Sequence, residues 1–236
     1  MHITNPKSAY LTGIRDASPF ILVVVPFGLL FGVVATEAGL DLLETMTMTV
    51  LVIAGAAQFT AIALMLDHAP VFIVLLTALA VNLRMAMYSA AMVPHLGKAS
   101  LRMRLLLAYF MVDQSFAVSI RKYEARPDMP MPARIGYFLG TCSPLVPMWY
   151  LSSYIGAVAG SAIPPEFSLD FAIPICFIAL SAPAMRRPQY FVAACVSIVA
   201  ALALVWVPYN LGLIGAAILA MVAGAQTEMW LERRAA

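Results

Sequence analysis

Apolar residues fall into eight runs, Ser18–Thr36, Glu44–Leu66, Val71–Val93, Leu105–Ile120, Ile135–Gly160, Phe171–Ala184, Phe191–Val207 and Leu211–Gly224. A bilayer core about 30 Å thick takes about 20 apolar residues of helix per crossing. The pattern predicts an all-α integral membrane protein, a polytopic bundle of seven or eight transmembrane segments in one domain over 1–236. The first run is too long for the apolar stretch of a cleaved signal and is read as span one.

Charges between the runs set the orientation. Glu37, Asp41 and Glu44 make the first interval acidic, as Glu166 and Asp170 do the fifth. Arg121, Lys122, Arg126 and Arg134 make the fourth basic, Arg186 and Arg187 the sixth, and Lys7 and Arg15 precede span one. With basic segments kept inside, eight crossings place both termini in the cytoplasm. Lys98, Arg102 and Arg104 then fall on the wrong side, unless span two or span four re-enters and leaves seven or fewer crossings.

Some segments are expected to be discontinuous. Pro174 and Pro183 bracket the short sixth run, and Gly55 opens a stretch of small residues in span two. Prolines at 19, 26, 144 and 147 add further places where a backbone carbonyl is freed. Small residues four apart, Gly28/Gly32, Gly136/Gly140 and Gly156/Gly160, let helix backbones approach closely in lipid, within the chain or against a partner. Gly32-Val33-Val34-Ala35 echoes Gly156-Ala157-Val158-Ala159, which raises an internal two-fold repeat with halves 1–124 and 125–236.

Composition closes off most other classes. With 63% hydrophobic and 11% charged residues, the chain lacks the polar surface of a water-facing globule, and its net charge of +2 offers no footprint for nucleic acid. Cys142, Cys176 and Cys195 lie far apart in apolar runs and read as small buried hydrophobes. There is no phosphate-binding G-x-x-x-x-G-K-[ST], no H-E-x-x-H and no G-x-S-x-G, so no ATPase, metallohydrolase or serine-nucleophile machinery is expected, and neither metal nor cofactor.

What chemistry remains sits at membrane depth, where a charge costs about 2.5–3.5 kcal/mol on insertion scales. Arg84 lies in span three beside Asn82, Asp113 lies in span four, and Gln58 follows the small residues of span two. These four are the candidate substrate contacts, with interhelical hydrogen bonding or a mutually neutralising ion pair as the plainer alternative. On a helix Asn82 and Arg84 are about 200° apart, so either both faces of span three meet protein or the helix is unwound there. At about 1.5 Å per residue, Arg84 and Asp113 lie at similar depths below the interval joining their spans, which predicts that they pair.

Several separated motifs carry a family resemblance: Pro-Phe-Gly-x-x-Phe-Gly (Pro26 to Gly32), Ala-Gly-Ala-Ala-Gln-Phe (Ala54 to Phe59), Val-Asn-Leu-Arg (Val81 to Arg84) with Tyr88 and Pro94, and Asp-x-x-Phe-Ala (Asp113 to Ala117). Trp149, Leu-Asp-Phe-Ala (Leu169 to Ala172), Phe-Ile-Ala-Leu (Phe177 to Leu180) and Val-Pro-x-x-Leu-Gly-Leu (Val207 to Leu213) continue the series. In their order and spacing they make the chain resemble the AzlC family of branched-chain amino-acid permeases along nearly its full length. It departs from the family at Met85 and Gln114, where His and Glu are frequent. The resemblance implies an exporter of leucine, isoleucine, valine and methionine in a bacterial cytoplasmic membrane, working with a small hydrophobic AzlD-like membrane subunit. A transporter of another small solute, or a membrane scaffold without transport activity, is the rival expectation.

Overall fold

The computed structural model describes residues 5–160, 185, 187–207 and 211–235, which are helical with no strand among them. The helices are α1 (Pro6–Ala17), α2 (Ile21–Glu37), α3 (Leu42–Leu51), α4 (Gly55–Leu66), α5 (Val71–Leu96), α6 (Leu101–Tyr109), α7 (Asp113–Ala125), α8 (Met131–Gly160), α9 (Pro188–Ala203) and α10 (Leu211–Ala235). Among the described residues, three stretches are long and apolar enough to cross a membrane: Pro6–Glu37, Val71–Leu96 and Leu211–Leu231. Pro174 and Pro183, with the run they bracket, Cys176 and the charges at 166, 170 and 186, lie outside the described residues. Contacts group the chain into two compact units, Met1–Phe59 with Ala78–Phe167, and Thr60–Thr77 with Ser168–Ala236.

In the first unit α1 and α2, joined by a single 3-10 turn at Ser18–Phe20, lie along the 30-residue α8. Missing side chains set the distance between them. A methyl group on Gly136 would strike the Pro6 backbone, on Gly140 that of Tyr10, on Gly156 that of Leu29 and on Gly160 that of Val33. The glycine pairs therefore serve packing within this chain. Residue numbers rise together along the two lines, so α1–α2 and α8 run parallel.

That direction fixes what lies between. Beside α5, Arg84 faces Asp113, Tyr88 stacks on Phe116 and His95 lies against Tyr123, so α5 and α7 are parallel. Helix α6 runs the other way, since Ser89 meets Met111 at its far end while Leu96 and Gly97 share a cleft with Arg104. Helices α6 and α7 are thus the limbs of a re-entrant hairpin with its tip at 110–112.

Helices α3 and α4 make a second hairpin with its tip at 52–54. Asp41 and Glu44 cap the start of α3 reciprocally, at 2.7 and 2.9 Å. Gly55 opens α4 against the Phe27 and Trp149 rings, and Phe59, one turn on, reaches Phe27 and Phe31, so α4 heads back toward the side from which α3 came.

The second and fourth apolar runs are therefore each a hairpin of two antiparallel helices, where eight full crossings required both to run straight through. One re-entrant span among these two was the alternative; the structure has both. A hairpin of two short limbs carries as many apolar residues as one span, which is why hydropathy does not separate them. Pro26, Pro144 and Pro147 sit inside continuous helices, and the apolar runs are interrupted at 52–54 and 110–112.

The hairpins also remove the conflict among charges. The ends of α5 and α7 and the start of α8 are tied together by Arg134, which donates to the His95 and Pro127 carbonyls, and by the Tyr123 hydroxyl, which donates to the Arg134 carbonyl. Lys98, Arg102 and Arg104 therefore share a face with Arg121, Lys122, Arg126 and Arg134, opposite Glu37, Asp41 and Glu44. The basic face is cytoplasmic by the positive-inside rule.

In the second unit, α9 packs antiparallel on α10, with Gly212 against Leu204 and Gly224 against Ala193.

This topology predicts a labelling pattern. In membranes of known sidedness, single cysteines replacing Lys98 and Arg126 should react with an impermeant maleimide from one side, and a cysteine replacing Asp41 from the other. Reaction of the Lys98 position together with the Asp41 position would mean that α6 and α7 cross.

Candidate functional site

The two tips are the places where helical backbone is interrupted at membrane depth, and each is held by side chains. At the tip of α6–α7, the Ser115 hydroxyl accepts from the Val112 N–H at 2.9 Å and lies 3.0 Å from the Val112 carbonyl oxygen, while the Cys142 thiol donates to the Phe110 carbonyl at 3.4 Å. Cys142 is thus buried as expected but also satisfies a backbone acceptor, which an apolar residue would not, whereas Cys195 is exposed, contrary to the expectation. At the other tip the Val50 carbonyl, in the last turn of α3, accepts from the Tyr109 hydroxyl at 2.7 Å. Tyr109 ends α6, so this bond joins the two hairpins, and its oxygen lies 2.9 Å from the Tyr150 hydroxyl of α8.

Arg84 and Asp113 form the expected ion pair, Nη1 to Oδ2 at 3.1 Å. Asp113 is the first residue of α7, not a mid-helix charge, so its carboxylate sits where unpaired N–H groups give a helix its positive end. The pair is incomplete: Asp113 Oδ1 and Arg84 Nε are both buried without a hydrogen-bond partner. Beside it Tyr88 stacks on Phe116 with centroids 4.2 Å apart and planes 10° from parallel. Helix α5 is continuous through this region, so the unwound alternative does not hold and Asn82 points away from Arg84. The Asn82 Oδ1 is also buried and unpartnered.

Gln58 lies in the first turns of α4, fully buried, with neither amide atom hydrogen-bonded. Around the start of that helix Phe27, Phe31, Phe59 and Trp149 form one aromatic cluster with centroid separations of 5.0 to 6.1 Å. Gly55 leaves room for Phe27, and Gly28 and Gly32 admit Trp149, Ser152 and the α8 backbone. Trp149 Nε1 and Ser153 Oγ, one turn apart on α8, are buried and unpartnered too.

Three settings hold the four sequence candidates: the ion pair, the start of α4 at Gln58, and the other side of α5 at Asn82. Arg84 and Asp113 meet; no contact joins Gln58 or Asn82 to them. An unpaired buried polar group costs about 1–3 kcal/mol, and Gln58, Asn82, Arg84 and Asp113 each carry at least one such atom. The sequence reading missed the roles of Tyr109 and Ser115, which bond the two tips but carry no charge. No cluster of three His, Cys, Asp or Glu side chains occurs among the described residues.

Re-entrant hairpins meeting around buried polar groups define a multi-pass membrane protein of transporter-like design. The family profile described as AzlC protein matches residues 19–163, and the chain belongs to the AzlC family. It is 25% identical over 191 residues to the inner membrane protein YgaZ of Escherichia coli (strain K12), covering 78% of this chain and 77% of that protein. An uncharacterized membrane protein of Archaeoglobus fulgidus is 28% identical over 194 residues (79% of this chain, 80% of that one), and one of Helicobacter pylori (strain 26695) 27% over 188 (75% and 78%). No solved structure matches the chain significantly.

The ion pair makes a testable claim. Arg84→Ala should lower the amount of folded protein, because it strands the Asp113 carboxylate, whereas Arg84→Ala with Asp113→Ala should recover much of the loss. Fluorescence-detected size exclusion of the variants measures this, and a double variant as depleted as the summed single losses would show that the two residues act independently.

Proposed function

We propose that the chain is the large subunit of a two-component exporter of branched-chain amino acids, and of methionine, in a bacterial cytoplasmic membrane, working with a small hydrophobic AzlD-like subunit. The observation that carries this reading is the Arg84–Asp113 pair at the tip of one re-entrant hairpin, bonded through Tyr109 to the tip of the other. Membership of the AzlC family supports it.

The chemistry fits such a solute. A zwitterion held away from water needs donors for its carboxylate, acceptors for its ammonium and apolar walls for its side chain. Arg84 and the N-terminal ends of α4 and α7 offer donors. Asp113 Oδ1 and the amide oxygens of Gln58 and Asn82 offer acceptors that nothing else uses. The aromatic cluster beside Gln58 offers the apolar wall. Because the hairpins enter from opposite faces, a solute at their tips is near the middle of the membrane and within reach of both sides.

Proteoliposomes test the assembly. Labelled leucine should move faster when the chain is reconstituted with a co-purifying small hydrophobic subunit than when it is alone; equal rates would rule out the two-component arrangement, and no movement of any of the four amino acids would rule out the substrate.

In the same assay Gln58→Leu and Asn82→Leu should each slow transport at limiting substrate by roughly tenfold, the order of one or two lost hydrogen bonds, with normal amounts in the membrane. Wild-type rates in both variants would return these amides to a packing role.

A further inference from the structure

A cleft of about 380 Å³ opens in the cytoplasmic half of the first unit, away from the hairpin tips, where the 3-10 turn between α1 and α2 faces the end of α7. Asp16, one residue before α1 ends, forms part of its wall. Its Oδ2 accepts from Lys122 Nζ at 3.1 Å and from the Tyr137 hydroxyl at 2.7 Å, tying α1 to α7 and α8. Its Oδ1 has no partner among the described residues. Lys122 also lies over the Tyr137 ring, 5.2 Å from its centroid. Arg121 lines the same cleft, is exposed and has no ion-pair partner among the described residues. Phe20 and Val118 supply apolar wall.

We propose that this cleft is a second binding site, a cytoplasmic receiving site for a zwitterionic α-amino acid, with Arg121 taking the carboxylate, Asp16 Oδ1 the ammonium and Phe20 with Val118 the side chain. This rests on the transport reading above. With Asp16 ion-paired to Lys122, Arg121 is the cation left over for a carboxylate, while the second Asp16 oxygen offers an ammonium an acceptor. Opposite charges beside an apolar surface, in a cleft within the size range of small-molecule sites, match a solute carrying both charges and an apolar body. The free oxygen belongs to the residue that pins the α1–α2 turn, so occupancy bears directly on the bond network that holds this turn against α7 and α8.

The test uses the full chain in nanodiscs, with the native cysteines replaced and Ala117→Cys, on the cleft wall, as reporter. L-Leucine should slow maleimide labelling at this position several-fold, whereas isopentylamine, which lacks the carboxylate, and 4-methylpentanoate, which lacks the ammonium, should not. Adding Arg121→Gln should raise the leucine concentration needed by roughly tenfold or more, as expected for losing a charge-assisted hydrogen bond. Val118→Cys is the second reporter if the first does not fold. No protection by leucine, or equal protection by either single-charge analogue, overturns the site. Leucine transport in proteoliposomes without protection here refutes the cleft alone, and absence of both refutes the transport reading with it.

Discussion

The parallel, glycine-lined contact between α1–α2 and α8 is the constraint on which the first unit depends. Two parallel helices joined through the membrane need an odd number of crossings between them. Helix α5 supplies one, and the remaining elements, α3–α4 and α6–α7, return to the faces they left. A bulky side chain at Gly140 or Gly156 would collide with the α1–α2 backbone and forfeit the van der Waals contact that stands in for a hydrophobic driving force in lipid. The site is thus a product of packing some distance from it.

Broken helices at membrane depth leave backbone groups without intrahelical partners, and lipid offers none. Here the answer is local: Ser115, Cys142 and Tyr109 satisfy the loose ends at and beside the two tips. Side-chain atoms without a hydrogen-bond partner include those of Gln58, Asn82, Arg84 and Asp113, and also Thr45, Ser119, Arg134, Trp149 and Ser153. The order of a hairpin followed by a long helix occurs twice in opposite senses, as α3–α4 with α5 and as α6–α7 with α8, which brings one tip from each face.

The charged pair was legible in the sequence because two unlike charges deep in neighbouring apolar runs each need a counter-charge, and residue counting puts them at one depth. The hairpins were not, because two limbs of about ten residues have the length and hydropathy of a single span. The signs of their existence were local ones: an Asp41-to-Glu44 capping box, Asp113 suited to a helix start, and Lys98, Arg102 and Arg104 on a face that eight crossings forbid. The expectation that Gly55 marks a break was close, since the helix resumes at that residue. Asn82 and Gln58 were legible as polar groups out of place, but their surroundings were not, since amides carry no charge whose partner can be sought by depth.

Both limbs of the α6–α7 hairpin carry cations near their cytoplasmic ends, Arg102 and Arg104 on one and Arg121 and Lys122 on the other. Positively charged segments resist translocation, so such a hairpin is expected to stay on the cytosolic side while α8, which follows it in the chain, is made. Its tip contacts with Cys142 and Tyr150 are on α8 and do not exist before that moment. The contacts of the hairpin that carries Asp113 are therefore completed only once α8 is in place, so truncation before Gly160 should leave an unfinished protein.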